Sequence, residues 1–436
     1  MEACLAQLRP LIEELFELSG SPGLSLGVLH QGVPAYTAHF GRRQASRETP
    51  PKDDTLYNVA SMTKLMTAGV VSNLVKEGLL EWDVPVRHYL PEFGERKDAV
   101  GQHATLRDLL ANRTGLSAQA TFWGTMFEDI LPGPEKILKS ACHIPAIGEF
   151  RKTFVYSTWG YAIVTSTIER VTSLPFSECV ERYIFWPLGM SRSTTNLPGV
   201  ENVVYKHWVG LDGVAHEFPW SEYRGWSDET GFGGAVVATF TGYNGFMLLD
   251  PKSQSAIFVL VNSLPLVDIT EMIGQLLLGA VLEENDPPDY IKLAKSVKNA
   301  NMLVYDSYKS GLRQKRTETP TSCPLKEYEG DYWNDTNIMC YAVHVHGDNQ
   351  LRISAKGSHL TNYILEPWGG DTFCLPPNRD LELSQSMWPF TSLKSRIFTF
   401  SCGEGKVLSF TWHHDITPGS KPETFSKTNG SLHPRL

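Results

Sequence analysis

Two rhythms are written into this chain. From residue 324 onward, short β-type runs recur between turns: Tyr341 to His346, Leu351 to Ala355, Tyr363 to Leu365, Thr372 to Leu375, Ile397 to Ser401 and Leu408 to His413. Strands this short and this evenly spaced point to a small barrel or sandwich. The first 285 residues instead mix helical stripes with strand pairs. Leu24 to His30 and Pro34 to Phe40 read as a hairpin across Gln31-Gly32. Leu65, Met66, Val70, Val71, Leu74, Val75 and Leu79 repeat at helical spacing, as do Leu5, Leu8, Leu11, Ile12, Leu15 and Phe16 nearer the start. Further helices are expected over 105–111, 161–171, 176–185 and 270–282, and paired strands at Phe246 to Leu249 and Ala256 to Asn262. Residues 203–230 read as an aromatic-rich loop. The stretch 285–323 is polar, with Asp286-Pro287-Pro288 and a basic run from Lys309 to Arg316, and reads as helix plus linker. The expected division is therefore 1–285, 286–323 and 324–436. With 436 residues and about 100–200 per domain, two domains are the natural count.

Composition narrows the function classes. Aromatic residues make up 11% of the chain, far too many for a solvated disordered polymer. A net charge of −9 argues against a nucleic-acid or anionic-membrane partner. No apolar run approaches the roughly 18 residues of a membrane span. The N-terminal stretch carries Glu2, Glu13, Glu14 and Glu17 and lacks a basic start, so it reads as a helix and not a signal peptide, and a cytoplasmic location is expected. The seven cysteines are scattered, odd in number and without a Cys-x-x-Cys pair, so neither a disulfide framework nor a zinc ribbon is indicated. His344 and His346 on one strand and His413-His414 on another lack the matching carboxylates of a metal site and read as half-buried strand histidines.

The sharpest chemical signal is Ser61-Met62-Thr63-Lys64, the one Ser-x-x-Lys in the chain, at the start of the 61–79 helix. Positions i and i+3 share a helix face, so the serine hydroxyl and the lysine amine can meet. Val59, Ala60, Leu65 and Met66 would desolvate the amine and lower its pKa. A neutral lysine can take the serine proton; an ammonium cannot. The bland alternative is a serine near a helix start with a solvated lysine one turn on. A rival nucleophile, Ser25 in Gly23-Leu24-Ser25-Leu26-Gly27, matches G-x-S-x-G, but an elbow needs a strand before and a helix after. Here a β run and a turn follow, so Ser25 reads as a mid-strand serine. Tyr156, in Phe154-Val155-Tyr156-Ser157-Thr158-Trp159-Gly160-Tyr161, is a candidate general acid/base or a packed loop tyrosine.

Together these segments resemble the serine β-lactamase/penicillin-binding-protein superfamily, most of all its fungal β-lactamase-related hydrolase and transesterase branch. Val59 to Lys64 with Glu77-Gly78-Leu79-Leu80-Glu81-Trp82-Asp83-Val84-Pro85-Val86 is similar to the first motif. Leu106-Arg107-Asp108-Leu109-Leu110-Ala111-Asn112-Arg113-Thr114-Gly115-Leu116 resembles a second conserved-pattern segment, Tyr156-Ser157-Thr158 takes the Tyr-x-Asn place, and Gly233-Gly234-Ala235 resembles the third motif. The resemblance covers about 5–285, the ordered run of motifs making it specific. It implies a mixed α/β (α+β) transpeptidase-like domain, an antiparallel sheet flanked by helices, followed by a small all-β, lipocalin-like barrel. It also implies acyl-serine chemistry. Ser61 would be the nucleophile, and Lys64 and Tyr156 the proton shuttles. Ala235 and Gly234, with Thr158 and Trp159, would be oxyanion or substrate-binding positions. No metal or cofactor is implied, and the partner is a small-molecule acyl substrate.

Three departures stand out. Thr158 replaces the usual Asn. Phe232 stands where the third motif has Lys or His, which disfavours carboxylate-bearing β-lactams and D-amino-acid peptides and favours a neutral ester or thioester. The stretch between Gly189-Met190 and Gly233-Gly234 is short for the family. Three outcomes stay open: hydrolysis of a small-molecule ester, thioester or amide, for which the resemblance implies a setting in secondary metabolism; acyl transfer through the same site; or a degenerate scaffold without turnover. The aromatic residues Trp123, Trp159, Trp208, Trp220 and Trp226 are candidate walls of an acyl pocket or simply core.

Overall fold

Gly23–His30 (β1) is buried along nearly its whole length, which only a central strand with both faces covered can be. It pairs antiparallel with Val33–Gly41 (β2), the expected hairpin, and on its other side with Ser255–Val261. The structure, a computed structural model, describes residues 1–119, 126, 136–195, 201–218, 242–284, 286–356, 358, 360–387 and 392–428. The described residues form two compact units. Among the described residues, the first draws on 1–62, 192–195, 201–218 and 242–305, the second on the described parts of 63–191 and 306–428.

In the first unit, His207–Val209 (β3), Ala215–Glu217 (β4), Asn244–Asp250 (β5), Ser255–Val261 (β6) and Ser263–Leu264 (β7) complete two sheets. The larger is antiparallel in the order β2-β1-β6-β5, and the smaller runs β4-β3-β7. Helices Glu2–Gln7, Arg9–Ser19 and Thr270–Val281 flank the larger sheet and bury Leu5, Ile12, Leu15, Ile273 and Leu277 with Leu24, Leu26 and Val259. The N-terminal stripe was expected as one helix. It divides at Leu8, because Pro10 supplies no amide hydrogen and fits only a helix's first turn. The β3–β4 hairpin falls in a stretch expected as loop.

The second unit holds the helices Thr63–Lys76, Thr158–Thr172 and Phe176–Val180 and, beyond the long helix Tyr290–Lys315, an all-β module. Its strands are Gly330–Asn334 (β8), Cys340–His346 (β9), Gln350–Ala355 (β10), Asn362–Gly369 (β11), Thr372–Cys374 (β12), Ile397–Gly403 (β13), Lys406–Trp412 (β14) and Glu423–Lys427 (β15). Each pairs antiparallel with the next, and β15 closes on β8. The result is a closed eight-stranded up-and-down barrel, as expected. Its interior is a packed core: Tyr332, Tyr341, Phe398, Phe400, Phe410, Trp412 and Phe425 are all buried, with Phe398 stacked on Trp412 and Phe410 on Phe425 at centroid separations of 4.5 and 4.9 Å. No helix among the described residues is long and apolar enough to cross a membrane.

Candidate active site

Ser61 lies in the Ala60–Met62 turn, half-buried, just ahead of the Thr63–Lys76 helix and not within it as expected. The Asn58 side chain accepts the Ala60 amide at 2.9 Å, and the Met62 amide donates to the Val59 carbonyl at 3.0 Å. Ala60 is held at φ 44°, a left-handed conformation that costs a non-glycine residue about 1 kcal/mol. Strain of this kind persists only where surrounding contacts over-determine the backbone.

Lys64 is buried in the first turn of that helix. Its Nζ lies 5.1 Å from the ring centroid of Tyr156 and 5.2 Å from that of Tyr161. Burial lowers the ammonium pKa to about 7, since an aromatic cleft solvates a charge less well than water. The desolvating neighbours differ from those expected. Leu65 is half exposed, and two tyrosine rings from a sequence-distant segment cover the amine instead. Tyr161 is itself fixed by donating to the Leu110 carbonyl at 2.7 Å, and burial pushes its phenol up to about 12.

Tyr156 is 43% exposed, and its ring meets Lys64. One residue grips it from both sides. The Val155 amide donates to the Asn112 carbonyl at 3.0 Å, and the Ser157 amide donates to Asn112 Oδ1, also at 3.0 Å. Asn112 can do both because it sits at φ 53°, which asparagine tolerates better than most residues. Thr158 opens the Thr158–Thr172 helix; its hydroxyl is buried and, among the described residues, has no hydrogen-bond partner. Trp159, expected against substrate, is fully buried, and its indole N–H donates to the Ala118 carbonyl at 3.0 Å.

The structure thus brings Lys64 and Tyr156 together. Gly234 and Ala235, with Phe232, lie outside the described residues, as do Trp123, Trp220 and Trp226. Trp208 stacks on His216 at 4.3 Å in the β3–β4 hairpin. Ser25 makes a chain that superficially suggests a second nucleophile: its hydroxyl meets His39 Nδ1 at 2.8 Å and Tyr57 at 2.9 Å, and His39 Nε2 meets Asp53 at 2.8 Å. Ser25 is nevertheless buried in mid-strand with β2 on one side and β6 on the other, and no helix follows it. It therefore lacks the exposed strand-to-helix turn a nucleophile elbow needs. His344 and His346 are exposed on β9, while His414 is buried and bonds Glu423 at 2.5 Å. Among the described residues no three histidine, cysteine or carboxylate groups cluster to hold a metal ion.

Residues 8–213 match a family model described as Beta-lactamase, and residues 314–427 match a domain of unknown function, DUF3471. The chain is 24% identical over 264 residues to an unguisins hydrolase of Aspergillus violaceofuscus, covering 56% of this chain and 45% of that protein. It is 24% identical over 197 residues to a β-lactamase of Providencia stuartii, covering 45% of this chain and 48% of that protein. The chain therefore spans about half the length of these curated relatives. In fold it is similar to the octameric penicillin-binding protein homologue from Pyrococcus abyssi, with a TM-score of 0.55 at 18% identity, covering 97% of this chain and 99% of that one.

Proposed function

We propose, from the match of residues 8–213 to the Beta-lactamase family model, that the chain is a member of the serine β-lactamase/penicillin-binding-protein superfamily and a serine acyl hydrolase acting on a small-molecule ester, thioester or amide. The observation that carries this reading is Lys64, buried against Tyr156 and Tyr161 with a pKa near neutrality, three residues after a serine in a strained turn. At neutral pH a large fraction of such an amine is unprotonated and able to accept a proton.

In the proposed reaction, Ser61 Oγ attacks the acyl carbonyl as its proton passes to Lys64, directly or through the Tyr156 oxygen. The carbonyl oxygen takes up negative charge, which the Ser61 amide and, by family resemblance, the Ala235 amide would stabilise. Collapse expels the alcohol, thiol or amine, which receives the proton. Water then attacks the Ser61 acyl ester, gives its proton back through the same pair and releases the acid. The nearby anchor of Tyr156 in Asn112 keeps the phenol from drifting between these steps. A relative named for hydrolysis of unguisins supports hydrolysis over transfer, and a role in small-molecule metabolism.

The decisive experiment uses a fluorophosphonate probe and p-nitrophenyl butyrate on the full chain. We expect wild type to label at Ser61 and to release p-nitrophenol, and Ser61→Ala to do neither. A wild type that stays unlabelled, or a Ser61→Ala protein that labels equally well, overturns the proposal. Added alcohols that trap the acyl group faster than water would assign transfer instead.

A further inference from the structure

Two hydrogen-bonded rungs connect the barrel to the segment that carries Tyr156. In the first, the Ser117 hydroxyl donates to Asp415 Oδ2, and the Ser117 carbonyl accepts the Ser157 hydroxyl at 2.9 Å. In the second, the Ala118 amide donates to Thr417 Oγ1 at 3.2 Å, and the Ala118 carbonyl accepts the Trp159 indole at 3.0 Å. Residues 117 and 118 thus each face the barrel on one side and the start of the Thr158–Thr172 helix on the other. We propose that Asp415 is a positioning residue for Tyr156, holding the tyrosine over Lys64 through Ser117 and Ser157; this rests on the acyl-serine reading above.

Asp415 is built for that task. It follows β14 in a loop that its own carboxylate ties: Oδ1 accepts the Thr417 amide at 3.1 Å and the Thr417 hydroxyl at 2.6 Å, while its carbonyl accepts the Ser420 hydroxyl at 2.6 Å. His413 Nε2 meets the same Ser420 hydroxyl at 3.0 Å. With Oδ1 spent inside the loop, Oδ2 projects to Ser117. Asp415, Ser117 and Ser157 are all buried, so water cannot replace a lost partner and the bonds keep their full strength. Tyr156 is itself partly exposed, and the hydrogen bonds of its neighbours Val155 and Ser157 fix its backbone. Asn112 fixes its backbone from one direction, and the 117–118 rungs fix Ser157 and Trp159 from the other.

The test compares wild type, Asp415→Ala, Asp415→Asn and Ser117→Ala as full chains. It reads the saturating fluorophosphonate labelling rate (kinact), the probe's half-saturation (KI) and amide hydrogen exchange by peptide. For Asp415→Ala we expect kinact to fall about 10- to 100-fold, the cost of a misplacement of about 1 Å, with KI within twofold. Exchange should rise in 112–119 and 155–160 and stay low in β9, β10 and β14. Asp415→Asn keeps a carbonyl oxygen for Ser117 and should recover part of the rate. If Asp415→Ala does not fold, Ser117→Ala, which removes the hydroxyl that meets Asp415 and accepts the Gln119 amide, carries the same comparison. Labelling at the wild-type rate in Asp415→Ala or Ser117→Ala overturns the positioning role and leaves the hydrolase reading intact. So does a loss confined to KI. If wild type itself is not labelled at Ser61, the hydrolase reading falls and the positioning role with it.

Discussion

Lys64 and Arg396 are both basic groups withdrawn from water in the second unit, and they are housed in opposite ways. Arg396 is fully buried, and Glu382 meets it with two oxygens at 2.7 and 3.0 Å, while the Tyr308 ring lies 5.5 Å away. A planar guanidinium matches the two oxygens of a carboxylate fork, and the pair holds the Arg379–Ser384 helix to the barrel strand that begins at Ile397. Lys64 faces two phenol rings, and burial brings its pKa down to about 7. The contrast separates structure from chemistry: one cation is locked in a two-point ion pair, the other sits against phenol rings with its pKa brought down to about 7.

The contrast breaks most visibly at Lys64. Lys64→Met should slow fluorophosphonate labelling about 1,000- to 10,000-fold, since the residual reaction has no general base. It should also stabilise the fold by about 1 kcal/mol or more near pH 7, because a thioether does not resist burial. The sign follows from linkage. Between about 7 and its usual 10.5, Lys64 holds a proton in the unfolded chain that it lacks in the folded one. Stability therefore rises with pH through that window, and the cost of burying the amine is greatest at or below about pH 7. The gain from Lys64→Met should shrink toward zero as pH approaches 10.5, while wild-type labelling climbs as pH passes through about 7. Urea melts at several pH values and a labelling-rate profile check both; a gain that does not depend on pH would mean Lys64 is not buried as a neutral amine.

Glu382→Gln probes the other site. It leaves Arg396 charged in a buried setting without its carboxylate, which should cost about 3–5 kcal/mol of stability. The double variant Glu382→Gln, Arg396→Met should regain much of that loss, and labelling of the folded fraction should stay at the wild-type rate. Equal destabilisation by the single and double variants would contradict the account of the pair as an electrostatic fork. Tyr156→Phe comes next: loss of the hydroxyl alone should lower kinact about 100-fold with little change in melting, because the ring over Lys64 remains.

What could be read from the sequence followed from local patterns. Ser61 and Lys64 are three residues apart, and the β1–β2 hairpin is announced by alternation around Gln31-Gly32. The barrel's aromatic strands carry enough inward-facing rings to declare themselves. Its closing strands do not. In Gly330–Asn334 and Glu423–Lys427 the buried rings are single, Tyr332 and Phe425, so the alternation is too thin to see. The agents that tune the site are equally silent. Tyr161 reaches Lys64 from 97 positions away, Asn112 acts through a left-handed backbone, and Asp415 meets Ser117 across a separation of 298 residues. Tertiary packing decides those contacts, and no periodicity encodes them.

The smallest effect is expected at Ala60. Glycine accepts φ 44° without the steric cost alanine carries, while its own unfolded freedom offsets part of that relief. Ala60→Gly should therefore raise stability by no more than about 1 kcal/mol, seen as a small shift of the urea midpoint at constant slope. If the strained turn fixes the direction in which Ser61 presents its hydroxyl, the same change should lower kinact several-fold as the turn gains alternatives. A variant that is stabilised yet labels as fast as wild type would show that the strain is incidental, and that the helix start alone orients the serine.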